Sequence, residues 1–245
     1  MSRSAAALPL TAAALAARDA EGRPGRFWLR DDDAVTDTPA LERLIGWSQR
    51  ARAPVLLAVI PAQADEALAR RLASAPLLIP CQHGLSHANH APAGEKSAEF
   101  GPHRPLIAMI RDIEHGRALM RARFGVRAAP VFVPPWNRIT ADLAVPLAAL
   151  GFTALSTFGP PRLALAPGMA EINTDLDIID WRGGRCGRPL PELDAELARH
   201  LAGAEAEPTG ILTHHLAHDA AAWDFLDALI ALPGLLWSDV TGLTL

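Results

Sequence analysis

The chain has 245 residues, is 50% hydrophobic, and carries a formal net charge of -4 without a basic stripe. That length holds one large core and falls in the size range of single-domain β/α barrels. The charge balance argues against nucleic acid and against anionic membrane surfaces as partners, and no apolar run reaches the length of a membrane span. The two cysteines, Cys81 and Cys186, lie too far apart in sequence to suggest a disulfide framework and point to a reducing, cytoplasmic compartment.

In chain order, Ser4 to Ala17 is alanine-rich behind one arginine, with Pro9 near its start and Gly22 as a stop. It reads as a helix in preference to an export signal, so residues 1–25 are a helix and linker within a single domain spanning 1–245. Phe27 to Asp31 is a first strand, running out into a loop at the aspartates. Asp37 or Thr38 before Pro39 starts a helix whose inward face is Leu41, Leu44, Ile45 and Trp47. Pro54 to Ile60 is a strand buried on both sides, followed by a helix over Ala64 to Ser74. Pro76 to Cys81 is the third strand.

From Gln82 to Arg104 the pattern fails, and loops of that length in compact domains are functional or mobile. Glu99 and Arg104 lie in it, placed over the site by loop position alone. Pro105 to Phe124 is helical, and Ala129 to Val133 is a fourth strand that leaves the sheet at Pro134-Pro135. Thr140 to Leu150 is a helix, Phe152 to Thr157 a fifth strand, and Glu171 to Ile179 a sixth. A helix with Leu190, Leu193, Leu197 and Leu201 on one side follows. Gly210 to Thr213 is the seventh strand, a helix runs through Leu226 and Leu229, and Leu235 to Val240 is a last short strand. Roughly seven or eight such units make a β/α barrel.

Polar residues gather after the C-terminal ends of these strands: Asp31 to Asp33, His83, Trp136, Asp180-Trp181 and His214. That is the face on which β/α barrels carry their sites. Three adjacent carboxylates repel one another; solvation, protonation of one of them, or a bound cation each resolves the repulsion, and an Asp cap for the next helix is the plain alternative. His83 and His87 stand four residues apart, a spacing that brings two imidazoles to one ion on a helical turn, with His90 as a third candidate. His214 and His218 repeat the spacing.

Taken together, these residues resemble the polysaccharide deacetylase family, whose five short motifs occur in a fixed order. Asp31-Asp32-Asp33 resembles the first motif, His83 and His87 the second, with Gly84 where Ser or Thr is usual. Val133-Pro134-Pro135-Trp136 resembles the third but lacks its arginine. Asp177-Ile178-Ile179-Asp180-Trp181 matches the fourth, and Ile211-Leu212-Thr213-His214 resembles the fifth. The likeness covers Phe27 to Asp219 and implies a divergent member with a distorted (β/α)7-8 barrel.

The resemblance further implies a metal-dependent hydrolase that removes an acetyl or other acyl group from an N-acylated sugar or related amide. One divalent ion, with zinc the best match and cobalt, nickel or iron as alternatives, is then held by Asp33, His83 and His87. Asp32 is the general base and His214 the general acid, while Trp136, Arg138, Asp180 and Trp181 contact a small-molecule or carbohydrate substrate. Either Arg30 or Arg138 takes over from the missing arginine, or the base is tuned differently. Asp31 as base stays open, because three equal residues at a strand end leave the register ambiguous by one; His215 as acid stays open, because neighbours on a strand face opposite sides and only one of the two can point into the barrel. A catalytically silent binding barrel and a hydrolase of another acylated metabolite are the alternatives.

Overall fold

The computed structural model describes residues 7–203 and 208–239. In chain order the elements are α1 (Pro9–Ala20), β1 (Gly25–Ala34), α2 (Pro39–Ala51), β2 (Val55–Val59), α3 (Glu66–Ala73), β3 (Leu78–His83), α4 (Leu106–Phe124) and β4 (Ala129–Val133). They continue with α5 (Ala141–Ala144), β5 (Ala154–Leu155), β6 (Ala170–Glu171), β7 (Leu176–Asp177), β8 (Ile179–Asp180), β9 (Cys186–Gly187), α6 (Leu190–Gly203), β10 (Thr209–Thr213), α7 (Ala220–Ile230) and β11 (Leu235–Trp237). The strand order β6-β5-β4-β3-β2-β1-β10-β7 is that of a β/α half-barrel, with β11 on β1 and a separate β8-β9 hairpin.

The chain divides into two compact units. In the first, comprising residues up to Asp31, Thr38–Val55 and Thr174–Asp239, β10 and β11 flank β1 and both of these pairings are parallel. The β1–β10 register sets Leu29 opposite Ile211 and Asp31 opposite Thr213. Helix α2 starts where Thr38 accepts a hydrogen bond from the Leu41 N–H, at a Pro39 first turn, and buries Leu41, Leu44, Ile45 and Trp47. Helix α1 has no cap of its own; Asp194 of α6 supplies one, accepting from the N–H groups of Leu10 at 3.1 Å and Thr11 at 2.8 Å.

The second unit comprises Asp32–Asp37 and Leu56–Asn173 among the described residues, with β3, β4, β5 and β6 paired in parallel. Its core gathers Phe100, Met109, Ile113, Phe132, Leu143, Phe152 and Leu155. Phe100 comes from the long connection between β3 and α4, and its ring meets Phe132 edge-on at 5.4 Å, so this connection is pinned to the core toward its C-terminal end.

Several elements differ from the sequence reading. The aspartates do not leave β1 for a loop: the strand continues through Asp33 to Ala34, because Asp31 is hydrogen-bonded to the partner strand β10. β3 likewise reaches His83. The expected sixth strand is broken into β6, β7 and β8, of which β8 leaves the parallel sheet to form the hairpin. The expected helix over Thr140 to Leu150 has only one α-helical turn, α5, before Pro146 turns it into a 3-10 segment. The start of the first expected helix at Ser4 and the end of the last strand at Val240 lie outside the described residues.

Candidate active site

Three of the expected ligands meet in the second unit. His83 Nε2 and His87 Nε2 lie 3.2 Å and 3.3 Å from the same oxygen, Asp33 Oδ1. Donor atoms about 2.0–2.1 Å from one tetrahedral ion stand about 3.3 Å apart, so the spacing fits a single small divalent cation with positions left over. Among the described residues this is the one group of three or more such side chains whose ligating atoms converge.

The protonation pattern suits ligation. His83 is buried at the end of β3, with Nδ1 3.0 Å from the Val133 carbonyl oxygen. A carbonyl only accepts, so Nδ1 carries the proton and Nε2 presents its lone pair to the site. Burial, and then the neighbouring His83, hold His87 below the usual histidine range despite the opposing pull of Asp33. The neutral imidazole is the form that binds a metal.

Backbone strain concentrates here. Of six non-glycine residues with positive φ among the described residues, four are Asp33 (74°), His87 (58°), Trp136 (56°) and Asn137 (57°). Such conformations cost on the order of 1 kcal/mol or more each and persist where the surroundings over-determine them. The Trp136 ring lies against His87 with centroids 4.2 Å apart, walling one side of the ligand. Arg138 donates to the Ser97 carbonyl at 2.6 Å. His90 is exposed and lies outside the cluster.

The remaining candidates lie at strand ends of the first unit or follow directly from them. Asp31 is fully buried and accepts from Thr213 Oγ1 at 2.6 Å, from the His215 backbone N–H at 2.8 Å and from His215 Nδ1. Burial raises its carboxyl, but the facing His215 and these donors outweigh burial and leave it below the ordinary carboxylate range. The first aspartate and the second histidine of the doublet therefore pair with one another. Asp32, 2% exposed, continues β1 after Asp31, and His214 continues β10 after Thr213, so both follow a register pair. Strand alternation places Arg30, also buried, on the same face as Asp32.

Trp181 Nε1 donates to Asp177 Oδ2 at 2.8 Å, and its ring meets His214 edge-on at 4.5 Å. Asp180 holds the hairpin turn, accepting from the N–H groups of Arg182 and Gly183. The Asp31–His215 pair escaped the sequence reading, although the triplet of aspartates and doublet of histidines hinted at one redundant member of each.

No protein-family model and no curated protein matches the chain. Solved structures do. A Mycobacterium smegmatis protein assigned to the polysaccharide deacetylases superposes with a TM-score of 0.68 at 17% identity, covering 91% of this chain and 90% of that one. A family 4 carbohydrate esterase from Streptomyces lividans, solved with acetate, gives 0.59 at 14% identity over 88% and 93%. A family 4 acetyl xylan esterase from Clostridium thermocellum, solved with a cobalt ion, gives 0.55 at 16% identity over 89% of each chain. The fold is that of the polysaccharide deacetylases and family 4 carbohydrate esterases.

Proposed function

We propose that the protein is a metal-dependent hydrolase that removes an acyl group, acetate in the simplest case, from an N-acylated sugar or related amide. The observation that carries this reading is the convergence of Asp33, His83 and His87 at ion-ligand spacing on a fold whose solved members are deacetylases and esterases. Zinc suits one oxygen and two nitrogens, and cobalt accompanies a structural neighbour. When bound, the ion supplies Lewis acidity toward an acyl oxygen and a water pKa lowered to about 7.

This chain's own residues supply the rest. Asp32 takes the proton of the attacking water, with the Arg30 cation on its face of β1 in place of the arginine missing before Trp136. His214 returns a proton to the departing nitrogen, so the amide C–N bond breaks to release an amine and a carboxylic acid. The indole of Trp181, hydrogen-bonded to Asp177, holds the His214 imidazole edge-on. Trp136 beside His87 and Trp181 beside His214 each offer an apolar face to a substrate. The substrate is a small molecule or carbohydrate. No helix among the described residues is long and apolar enough to cross a membrane. Cys81 and Cys186 are not joined in a disulfide, which suits a cytoplasmic setting and a substrate found there.

The test combines elemental analysis of the purified protein with acid-release assays on N-acetylated amino sugars, their oligomers, acetylated xylan and small N-acyl amines. About one transition metal per chain and acetate release, both lost in Asp33→Asn and His83→Ala, are expected. A second reading, a binding barrel without turnover, is favoured by Arg138 turning to Ser97. Metal-loaded protein that binds an acylated sugar and releases no acid would establish it.

A further inference from the structure

The connection after β3 wraps around a carboxylate that the reaction as described does not use. Glu99 is 1% exposed, and its two oxygens accept four hydrogen bonds from three successive residues. Oε1 takes the Ser86 N–H at 2.9 Å and the Ser86 hydroxyl at 3.1 Å. Oε2 takes the N–H groups of Leu85 and His87, each at 3.3 Å. Successive backbone N–H groups curved around one anion form a nest, and here the anion belongs to the chain itself.

We propose that Glu99 is a positioning residue for the metal-binding segment His83 to His87, holding His87 in the left-handed conformation that brings its Nε2 to Asp33. The proposal rests on the reading of Asp33, His83 and His87 as a metal centre. His87 is a β-carbon-bearing residue at φ 58°, a conformation that relaxes unless something external holds it. Glu99 holds the His87 N–H and both preceding ones, so the bend cannot relax without stripping a buried carboxylate of its donors. Glu99 is itself fixed: its carbonyl accepts from Arg104 at 3.2 Å, Arg104 pairs with Asp112 of α4 at 2.6 Å, and the next residue, Phe100, is locked in the core.

Gly84 fits the same account. Its φ is 58°, and a Cβ there would fall inside contact of Glu99 Oε2 and 2.7 Å from the Pro135 ring. The space that a side chain at position 84 needs is taken by the Glu99 carboxylate. Glycine at 84 and glutamate at 99 are thus two parts of one arrangement, which explains the departure of this motif from the usual Ser or Thr.

Cobalt(II) titration of the full chain, read by visible absorption and by competition with a chelator, tests the proposal. Glu99→Gln sets an amide NH2 against N–H donors, so the nest cannot close on it. We expect cobalt affinity to fall about 10–100-fold, as for other groups that orient ligands from behind, with an altered ligand-field spectrum. Hydrogen exchange at Leu85 to His87 should accelerate. Glu99→Asp should recover part of the affinity, and Glu95→Gln, an exposed carboxylate paired with His103 on the same connection, should bind as the native chain does. Native affinity and spectrum in Glu99→Gln overturn the proposal. If that variant does not fold, Gly84→Ala decides, with weakened cobalt binding expected and unchanged binding fatal. A native chain that binds no cobalt overturns the metal centre itself, and the positioning role with it.

Discussion

The imidazole Nδ1 of His215 and the carboxylate of Asp31 face each other in the interior of the first unit, both at most 1% exposed and joined by a short hydrogen bond. The pair ties the strand that leads into Asp32 to the residue that follows His214. It is a brace between the two strands from which the proposed base and acid extend.

Removing one partner of a buried pair leaves the other uncompensated, at a cost of about 3–5 kcal/mol. Asp31→Asn is expected to lower the unfolding free energy measured in urea by that amount while leaving metal content intact, whereas Asp32→Asn should fold normally and lose about 10²-fold or more in turnover. Full activity in Asp32→Asn with inactivity in a folded Asp31→Asn would exchange their roles. The Asp31 carboxyl is held low, so its stabilisation is present above the unfolded value near 3.8 and is lost as pH falls through the lower folded one.

His218 provides a second pH effect in a different window. Burial pushes its imidazole down to about 4; the attraction of Asp31 opposes this, and His215, His214 and Arg43 add to it. Neither ring nitrogen has a hydrogen-bond partner among the described residues, and the ring packs edge-on against Trp223 at 4.6 Å. The unfolded chain therefore binds the extra proton between about pH 6.5 and 4, and folding stability drops as pH falls through that range, by about 3 kcal/mol in all. In His218→Phe, which keeps the ring contact, the dependence of unfolding free energy on pH should lose about one proton of slope between pH 4 and 6.5. An unchanged slope would place the titration elsewhere.

Metal should also be visible in stability. A ligand at 100 times its dissociation constant stabilises the folded state by about 2.7 kcal/mol. Calorimetry is expected to show a lower midpoint after chelation, recovery on adding zinc or cobalt, and no response in Asp33→Asn. A response that survives in Asp33→Asn would mean that the ion binds elsewhere.

The acid role of His214 can be told from a structural one by the leaving group. His214→Ala should lower turnover of ordinary amides, and its deficit should shrink with activated substrates whose leaving group needs no proton. A deficit equal for activated and ordinary substrates would remove the acid role from His214.

How much of this was legible depends on the range of the interactions. The helix start at Thr38-Pro39 and the buried run of β2 rest on neighbours in sequence, and they formed as read. The extension of β1 through three carboxylates could not be read locally, since it depends on Thr213 and His215, more than 180 residues away. Alternation would send Asp33 to the face of Asp31, but φ of 74° breaks the alternation, and nothing in the residue type announces it. Glu99 carried no motif; its role appears only once the chain has folded back over Gly84. The His83–His87 spacing was readable but misdescribed, because a left-handed bend, and not a helical turn, brings the two rings together.

The pairing of β1 with β10 has a consequence for how the protein is made. Asp31 leaves the ribosome 182 residues before Thr213, which at about 5–20 residues per second is a delay of roughly 10–40 s. Throughout that interval the edge of β1 that β10 will cover lacks its partner, and Asp31 has water in place of its native donors. A nascent chain in this state is open to strand exchange with its neighbours on the polysome and to capture by chaperones. The strand bearing the aspartates is therefore made well before the strand that secures it.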